Sequence, residues 1–270
     1  MKNQRFFNRK FVPAAQIRRL WKGMVISMKT VFINGSPKKK LSVSSYLLGI
    51  VRMLVSGEVV SEQVRNQNDH KRVLENIKDA DAVVIGLPLY VDGVPSHMLA
   101  FLKEMERFCL EHDIRLKVYA LSNGGFIEGR QNKPLMQVLE NFCKRSNLEW
   151  CGGIGIGGGV MLNVLRIMFF VYLGIFVLNV VFAGIQTGNW LPMDAVQHFA
   201  KQLGIILFFN LGVFFHSLRM SIAINKGVGF GVKFTRVLLP SFLFILAADF
   251  FFVIISIFQG GIFKGWLAKK

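Results

Sequence analysis

The sequence predicts an α/β protein: a doubly wound, five-stranded parallel sheet in the order 2-1-3-4-5, followed by an all-α membrane region of about three helices. Three observations predict it. From Lys29 to about residue 160, short β-branched or apolar runs alternate with stretches of helical length, the pattern of a parallel sheet covered by helices. After Gly157-Gly158-Gly159 the texture changes to long Phe-rich apolar stretches. The whole chain of 270 residues is 52% hydrophobic with a mean hydropathy of +0.43, too apolar for an ordinary soluble protein.

Taken in order, strands are expected at Thr30–Asn34, near Val59–Val64, and at Ala82–Leu89, Leu116–Ser122 and Trp150–Ile156. Helices are expected at about Ser44–Leu54, His70–Lys78, Ser96–His112 and Asn132–Ser146. Five strands with four intervening helices fit a doubly wound sheet, whose ligands bind at the carboxyl ends of the strands. Beyond it, Ile167–Ile185, Leu203–Ile224 and Val237–Phe263 each approach or exceed the roughly 20 residues that cross a hydrocarbon core of about 30 Å. The organisation is therefore a basic extension over 1–28, a sheet domain over 29–160 and a transmembrane region over 161–270.

The net charge of +17 is not spread evenly. Residues 1–28 hold seven Lys/Arg and no acid, residues 29–160 hold seventeen against fourteen acids, and residues 161–270 hold nine against Asp194 and Asp249. The two flanks thus carry +7 each and the middle only +3. A nearly balanced sheet domain argues against nucleic acid as a partner, because non-specific affinity comes from clustered cations. The opening segment lacks a signal-peptide core and a clean helical stripe, and reads as an over-extended start with initiation at Met28 rather than as a surface-binding helix. Cys109, Cys143 and Cys151 form no C-x-x-C pair and no zinc spacing, so no metal is expected.

With the sheet domain in the cytoplasm, Arg166, Arg219, Lys226, Lys233 and Arg236 lie inside and the 186–202 loop, with only Lys201, outside. Lys264, Lys269 and Lys270 break that pattern, which makes the third apolar stretch a candidate for a tilted, re-entrant or interfacial segment. Asp249 stands in the middle of that stretch, where an ionised carboxylate costs about 2.5–3.5 kcal/mol; pairing with His216 or Arg219, or protonation, is the expected remedy.

Three loops are suited to ligand contact. The first strand runs into Asn34-Gly35-Ser36-Pro37-Lys38 and on through Ser42 and Ser44 into a helix, a place for a phosphate: hydroxyl donors, a cation and a helix N-terminus. Ser42 or Ser44 can equally be an ordinary helix cap. The third strand leads into Pro88-Leu89-Tyr90-Val91-Asp92-Gly93, whose Pro88 and Tyr90 offer a stiff apolar wall for a planar ring. The fourth ends in Ser122-Asn123-Gly124-Gly125-Phe126, where paired glycines let backbone lie flat against a ligand or simply make a turn. His97 and Glu128 are read as a capping or surface histidine and a solvated glutamate, not as catalytic groups.

Gly35-Ser36-Pro37-Lys38, Pro88-Leu89-Tyr90 with Gly93 and Pro95, and Ser122 to Asn132 leading to Trp150-Cys151-Gly152-Gly153-Ile154-Gly155-Ile156-Gly157 resemble the NAD(P)H-dependent FMN reductase and multimeric flavodoxin branch of the flavodoxin-like superfamily. The resemblance covers about residues 29–160. It implies FMN as cofactor and NADH or NADPH as co-substrate. By position, Ser36, Pro37, Lys38, Ser42 and Ser44 would hold the phosphate, and Pro88, Leu89, Tyr90 and Gly93 would face the ring. Ser122, Asn123, Gly124, Gly125 and Phe126 would close its other side. Family members often carry Arg where Lys38 stands and an Asn-Thr pair near Ser42-Val43, so this first loop departs from the pattern. The implied function is a membrane-attached NAD(P)H-dependent oxidoreductase that passes electrons to a small-molecule or quinone acceptor, in a homodimer. Two rivals are an FMN electron carrier, disfavoured by the domain's lack of strong acidity, and a membrane protein with a degenerate flavodoxin-like docking or sensing module.

Overall fold

The computed structural model describes residues 28–38 and 42–258. The basic segment before Met28, Lys39, Lys40 and the lysines of the tail lie outside the described residues. Six strands form one parallel sheet in the order β2-β1-β3-β4-β5-β6. They are β1 (Lys29–Asn34), β2 (Glu58–Gln63), β3 (Ala82–Pro88), β4 (Lys117–Asn123), β5 (Glu149–Gly157) and β6 (Gly231–Arg236). The five expected strands are present in the expected order, and a sixth is added at the β5 edge, which corrects the count of five. β3 is buried along its whole length, as a central strand covered on both faces must be.

One face is covered by α2 (His70–Ile77), α3 (Ser96–Glu111) and α4 (Lys133–Arg145). Val73, Ile77, Met98, Phe101, Met105, Leu135 and Leu139 pack there against Val31, Ile33, Val83 and Ile85. The other face is covered by α1 (Val43–Arg52), by α7 (Leu211–Lys226) and by the first turns of α5 (Gly159–Thr187). α7 is thus the crossover helix between β5 and β6, with Met220, Ala223 and Ile224 buried against Phe32, Val84 and Tyr119. Polar bonds fix it there. Ser221 Oγ donates to the Val51 carbonyl at 3.2 Å, Asn225 Nδ2 donates to the Leu54 carbonyl at 3.0 Å, and the Tyr119 hydroxyl donates to the Val228 carbonyl at 2.8 Å.

β5 owes its glycines to what crosses it. Between Val118 and Tyr119 the register with β4 slips by one residue, and Gly152 absorbs the slip with a φ of 107°, a bulge conformation that favours glycine. A Cβ on Gly155 would stand 2.7 Å from Phe234 Cδ1 and 2.8 Å from Asn132 Cβ, because the 3₁₀ turn Gly129–Asn132 lies directly on the strand.

The apolar C-terminal region differs from three simple spans. α5 is a single helix of 29 residues and is long and apolar enough to cross a membrane. Met161, Leu162 and Leu165 at its base are buried in the sheet's core, whereas Phe170, Val171, Leu178, Phe182 and Ile185 are exposed. The second expected span, Leu203–Ile224, is broken: α6 (Met193–Phe209) and α7 meet at Asn210 with a bend of 68°. The buried Asn210 turns its amide back to the Ile206 carbonyl at 2.8 Å, ending α6. The half beyond the bend is the sheet-covering helix, so the apolar residues that suggested a span are partly core residues. α5 and α6 form a hairpin in which Phe176 stacks on Phe199 at 4.9 Å. The third expected span contains the end of β6's connection and α8 (Ser241–Phe258); residues 259–263 lie outside the described residues. Asp249 is exposed on α8, and no ion pair joins it to His216 or Arg219 among the described residues; Arg219 lies instead over the Phe215 ring.

Candidate flavin site at the carboxyl ends of the strands

A cavity of about 420 Å³ lies at the carboxyl ends of β1, β3 and β4, within the range of roughly 300–1,000 Å³ usual for small-molecule sites. β1 and β3 are neighbours from which the chain winds in opposite directions, so their loops diverge and leave a crevice. Ser36, Lys38, Ser42, Ser44, Pro88, Leu89, Tyr90, Asn123, Gly124 and Gly125 all line it, together with Val43, Gly159, Val160, Asn163 and Phe252. A roomier groove of about 770 Å³ sits at the opposite ends of the strands, bordered by Asp81, Arg115, Lys117 and Glu149. The helix N-termini that follow β1 and β3 do not point into it, and its mixed charges suit no single ligand sign.

The first loop forms the anion-suited end. Ser36, Ser42 and Ser44 are buried although polar. Ser42 caps α1: its Oγ accepts from the Ser45 N–H at 3.0 Å, which leaves its own proton to donate. The N–H groups of Val43 and Ser44, in the first turn of α1, have no carbonyl within the helix to bond, and the helix dipole adds partial positive charge. Lys38 is the cation of the lining, and none of the described lining residues is acidic. Ser44 differs from its expected role: its hydroxyl donates to Asn123 Oδ1 at 2.9 Å, fastening the first loop's helix to the third loop.

The second and third loops form the flat part. Leu89 N–H donates to the Asn123 carbonyl at 2.9 Å, so the two loops prolong the β3–β4 pairing past the sheet edge. Tyr90 and Gly93 close a tight turn, bonding each other in both directions, with Val91 and Asp92 at φ of 45° and 57°. Gly124 donates to the Ile156 carbonyl at 2.9 Å and accepts from Gly159 at 2.8 Å, which pins the third loop to the start of α5. A Cβ on Gly125 would meet nothing within 4 Å, so backbone there borders open space. Pro88, Leu89 and Tyr90, with Gly124 and Gly125 beside them, border the open part of the cavity, where a planar ring would lie, and the Ser36–Ser42 end would take a phosphate. The residues present fit FMN.

Four expected site residues do not line the cavity. Pro37 is exposed beside it, and Gly93 serves the Tyr90 turn. Ser122 is fully buried and donates to Asn132 Oδ1 at 2.7 Å, holding the turn that crosses β5. Phe126 is exposed on the outside of its loop.

Two further residues take part: Gln63, which sequence reading did not single out, and His97, which it read as a capping or surface histidine. Gln63 Nε2 donates to the carbonyls of Ser36 and Lys38, at 3.1 and 3.0 Å, clamping the first loop from the end of β2. His97 Nε2 lies 3.1 Å from the Gly35 carbonyl, which makes it the protonated nitrogen of the ring and a second clamp.

Among the described residues no cluster of His, Cys, Asp and Glu is placed to hold a metal. The three thiols are buried, and burial pushes Cys109 up to about 11, Cys143 up to about 12 and Cys151 up to about 11. They are protonated, unreactive core groups at neutral pH.

No family model and no curated protein matches the chain. Among solved structures it is similar to a flavodoxin, WrbA-like protein from Agrobacterium tumefaciens, with 15% identity and a TM-score of 0.40 over 46% of this chain and 76% of that one. It is also similar to an NADH:FMN oxidoreductase, with 13% identity and a TM-score of 0.41 over 66% of this chain and 88% of that one. An NAD(P)H:quinone oxidoreductase from Methanothermobacter marburgensis follows, with 16% identity and a TM-score of 0.37 over 52% and 92%. The strand order, the switch point and the loops around it define the class: a doubly wound parallel α/β fold with a cavity at the carboxyl edge of its sheet.

Proposed function

We propose that this chain is a membrane-attached flavoprotein that uses FMN to pass electrons from NADH or NADPH to a two-electron acceptor such as a quinone. The observation that carries the reading is the convergence of three loops from β1, β3 and β4 on one cavity with an anion-suited end and a flat end. Bound there, FMN supplies the redox chemistry: NAD(P)H and one solvent proton in, NAD(P)⁺ and the dihydro form of the acceptor out. The chain's residues bind and orient. Ser36, Ser42, Lys38 and the amides of α1 hold the phosphate, Gln63 and His97 keep that loop in shape, and Tyr90 and the Gly124-Gly125 backbone flank the ring.

Attachment to the bilayer is supported by α5, whose stretch Ile167–Ile185 rises about 28 Å, close to the roughly 30 Å of a hydrocarbon core. Arg219, Lys226, Lys233 and Arg236 stand on α7 and β6, on the sheet's side of the hairpin, and favour a cytoplasmic sheet domain.

The test is the absorption spectrum of detergent-purified full-length protein, recorded before and after anaerobic addition of NADPH and then NADH. A flavin spectrum that bleaches rapidly is the expected result. A flavin spectrum that persists with both nucleotides points to an electron carrier, and a colourless protein that FMN does not reconstitute rejects the cofactor.

A further inference from the structure

Two of the helices that carry exposed apolar surface also build the cavity wall. Val160 and Asn163 line it from α5, and Phe252 lines it from α8. On α5 the exposed apolar stretch begins at Ile167, only four residues, or about 6 Å, beyond Asn163. The path of α8 is fixed at two points. Phe244 packs where β5 and β6 end, its Cε2 3.2 Å from where a Cβ on Gly158 would stand. Phe252 has reached the cavity eight residues later, an advance of about 12 Å. The step from β5 to β3 is two strand spacings, about 10 Å. α8 therefore runs across the carboxyl edge of the sheet toward the site, and does not stand away from it. Phe242, Ile245, Leu246, Phe250 and Val253 are exposed along it.

Taking the flavin reading of the cavity as given, we infer that its electron acceptor arrives from the lipid phase, between α5 and α8, past Val160, Asn163 and Phe252. Tyr90 is exposed and Gly125 borders open space, so the reduced nicotinamide comes from water over these two residues. The acceptor class is a planar two-electron acceptor with an apolar tail. It takes two electrons and two protons, one delivered with the nicotinamide hydride and one from water. Asn163 is suited to a carbonyl on such a ring: its Oδ1 accepts from Arg166 Nη2 at 2.5 Å, which turns Nδ2 into the end that donates.

The test places single spin labels on the full-length chain in liposomes, using Phe252→Cys, Phe250→Cys, Phe170→Cys on α5 and Met53→Cys at the far end of the sheet; the native thiols are buried. Collision with oxygen relative to a water-soluble nickel chelate is expected to be at least several-fold higher at 250, 252 and 170 than at 53, because hydrocarbon excludes the chelate. Labels at 250 and 252 that behave like 53 while 170 is lipid-exposed overturn lipid-side entry and leave membrane attachment standing. All three behaving like 53 overturns both. None of these readings depends on bound flavin, so loss of the FMN reading is recorded separately by absorbance. In proteoliposomes, a benzoquinone with a long isoprenoid tail should show several-fold higher kcat/KM than its tailless parent at equal bulk concentration. Equal values would overturn the inference.

Discussion

Val91 is the most strained residue in the site region. It is β-branched, holds a φ of 45° and is fully exposed, so the left-handed conformation is not offset by any packing of its own. The Tyr90–Gly93 turn needs positive φ at both centres, as type I′ turns do, and Asp92 tolerates it better than Val91. Val91→Asn should therefore stabilise the protein by about 1 kcal/mol, read as a rise in the thermal midpoint in detergent, with FMN affinity unchanged. An unchanged midpoint would mean the turn is not strained. The buried thiols make a second residue-level prediction. Their folded pKa values lie above the ordinary value near 9, so the folded state keeps protons that the unfolded chain releases. That contribution is intact below about pH 9 and is lost as pH rises toward 11–12. Urea midpoints should fall over this window, and less steeply in Cys143→Ala.

At the scale of elements, β5 links the fold to the site. Its glycines make room for the Gly129–Asn132 turn, and that turn carries Asn132, which holds Ser122 at the foot of the third loop. Gly155→Val should displace the turn and cost several-fold or more in FMN affinity as well as stability, and Ser42→Ala should cost about 1 kcal/mol of stability through loss of the α1 cap and weaken FMN binding through loss of a phosphate donor. Titration of apoprotein with FMN separates the two from a general loss of folding. Four of the first five strands were readable because each is a short, mostly apolar run between helices of ordinary length, and β3 is apolar at nearly every position; β2, Glu58-Val59-Val60-Ser61-Glu62-Gln63, showed only its Val-Val pair. β6 was not readable. Gly231-Val232-Lys233-Phe234-Thr235-Arg236 is short, is an edge strand, and carries two cations that read naturally as a loop beside a membrane. α7 was hidden for a related reason: a helix that buries one face in a core and exposes Leu211, Phe215 and Leu218 on the other has the hydropathy of a span. Ten of the fourteen expected ligand residues line the cavity because they end strands or lie in the loops and the helix start that follow them. Val160, Asn163 and Phe252 were unreadable, since only the course of α5 and α8 brings them there.

At the scale of the whole molecule, the α5–α6 hairpin sets a problem that its apolar residues alone do not solve. Asp194, Gln197, His198 and Lys201 form one exposed face of α6, and α6 runs alongside α5 at the level of the Phe176–Phe199 stack. If α5 spans, that face is carried into hydrocarbon, where each charged side chain costs about 2.5–3.5 kcal/mol. The cost is relieved when the face meets another polar face, and a second copy of the chain supplies one of matching length. A homodimer through α6 is the expected state in the bilayer. His198→Cys in liposomes should give a disulfide-linked dimer on mild oxidation, while Phe182→Cys, on the apolar face of α5, should not. A cysteine at 198 that stays monomeric yet reacts readily with a charged, membrane-impermeant maleimide would show the face lying in water instead. The hairpin would then rest in the interface rather than cross the membrane, with α8 and the mouth of the cavity still turned toward lipid.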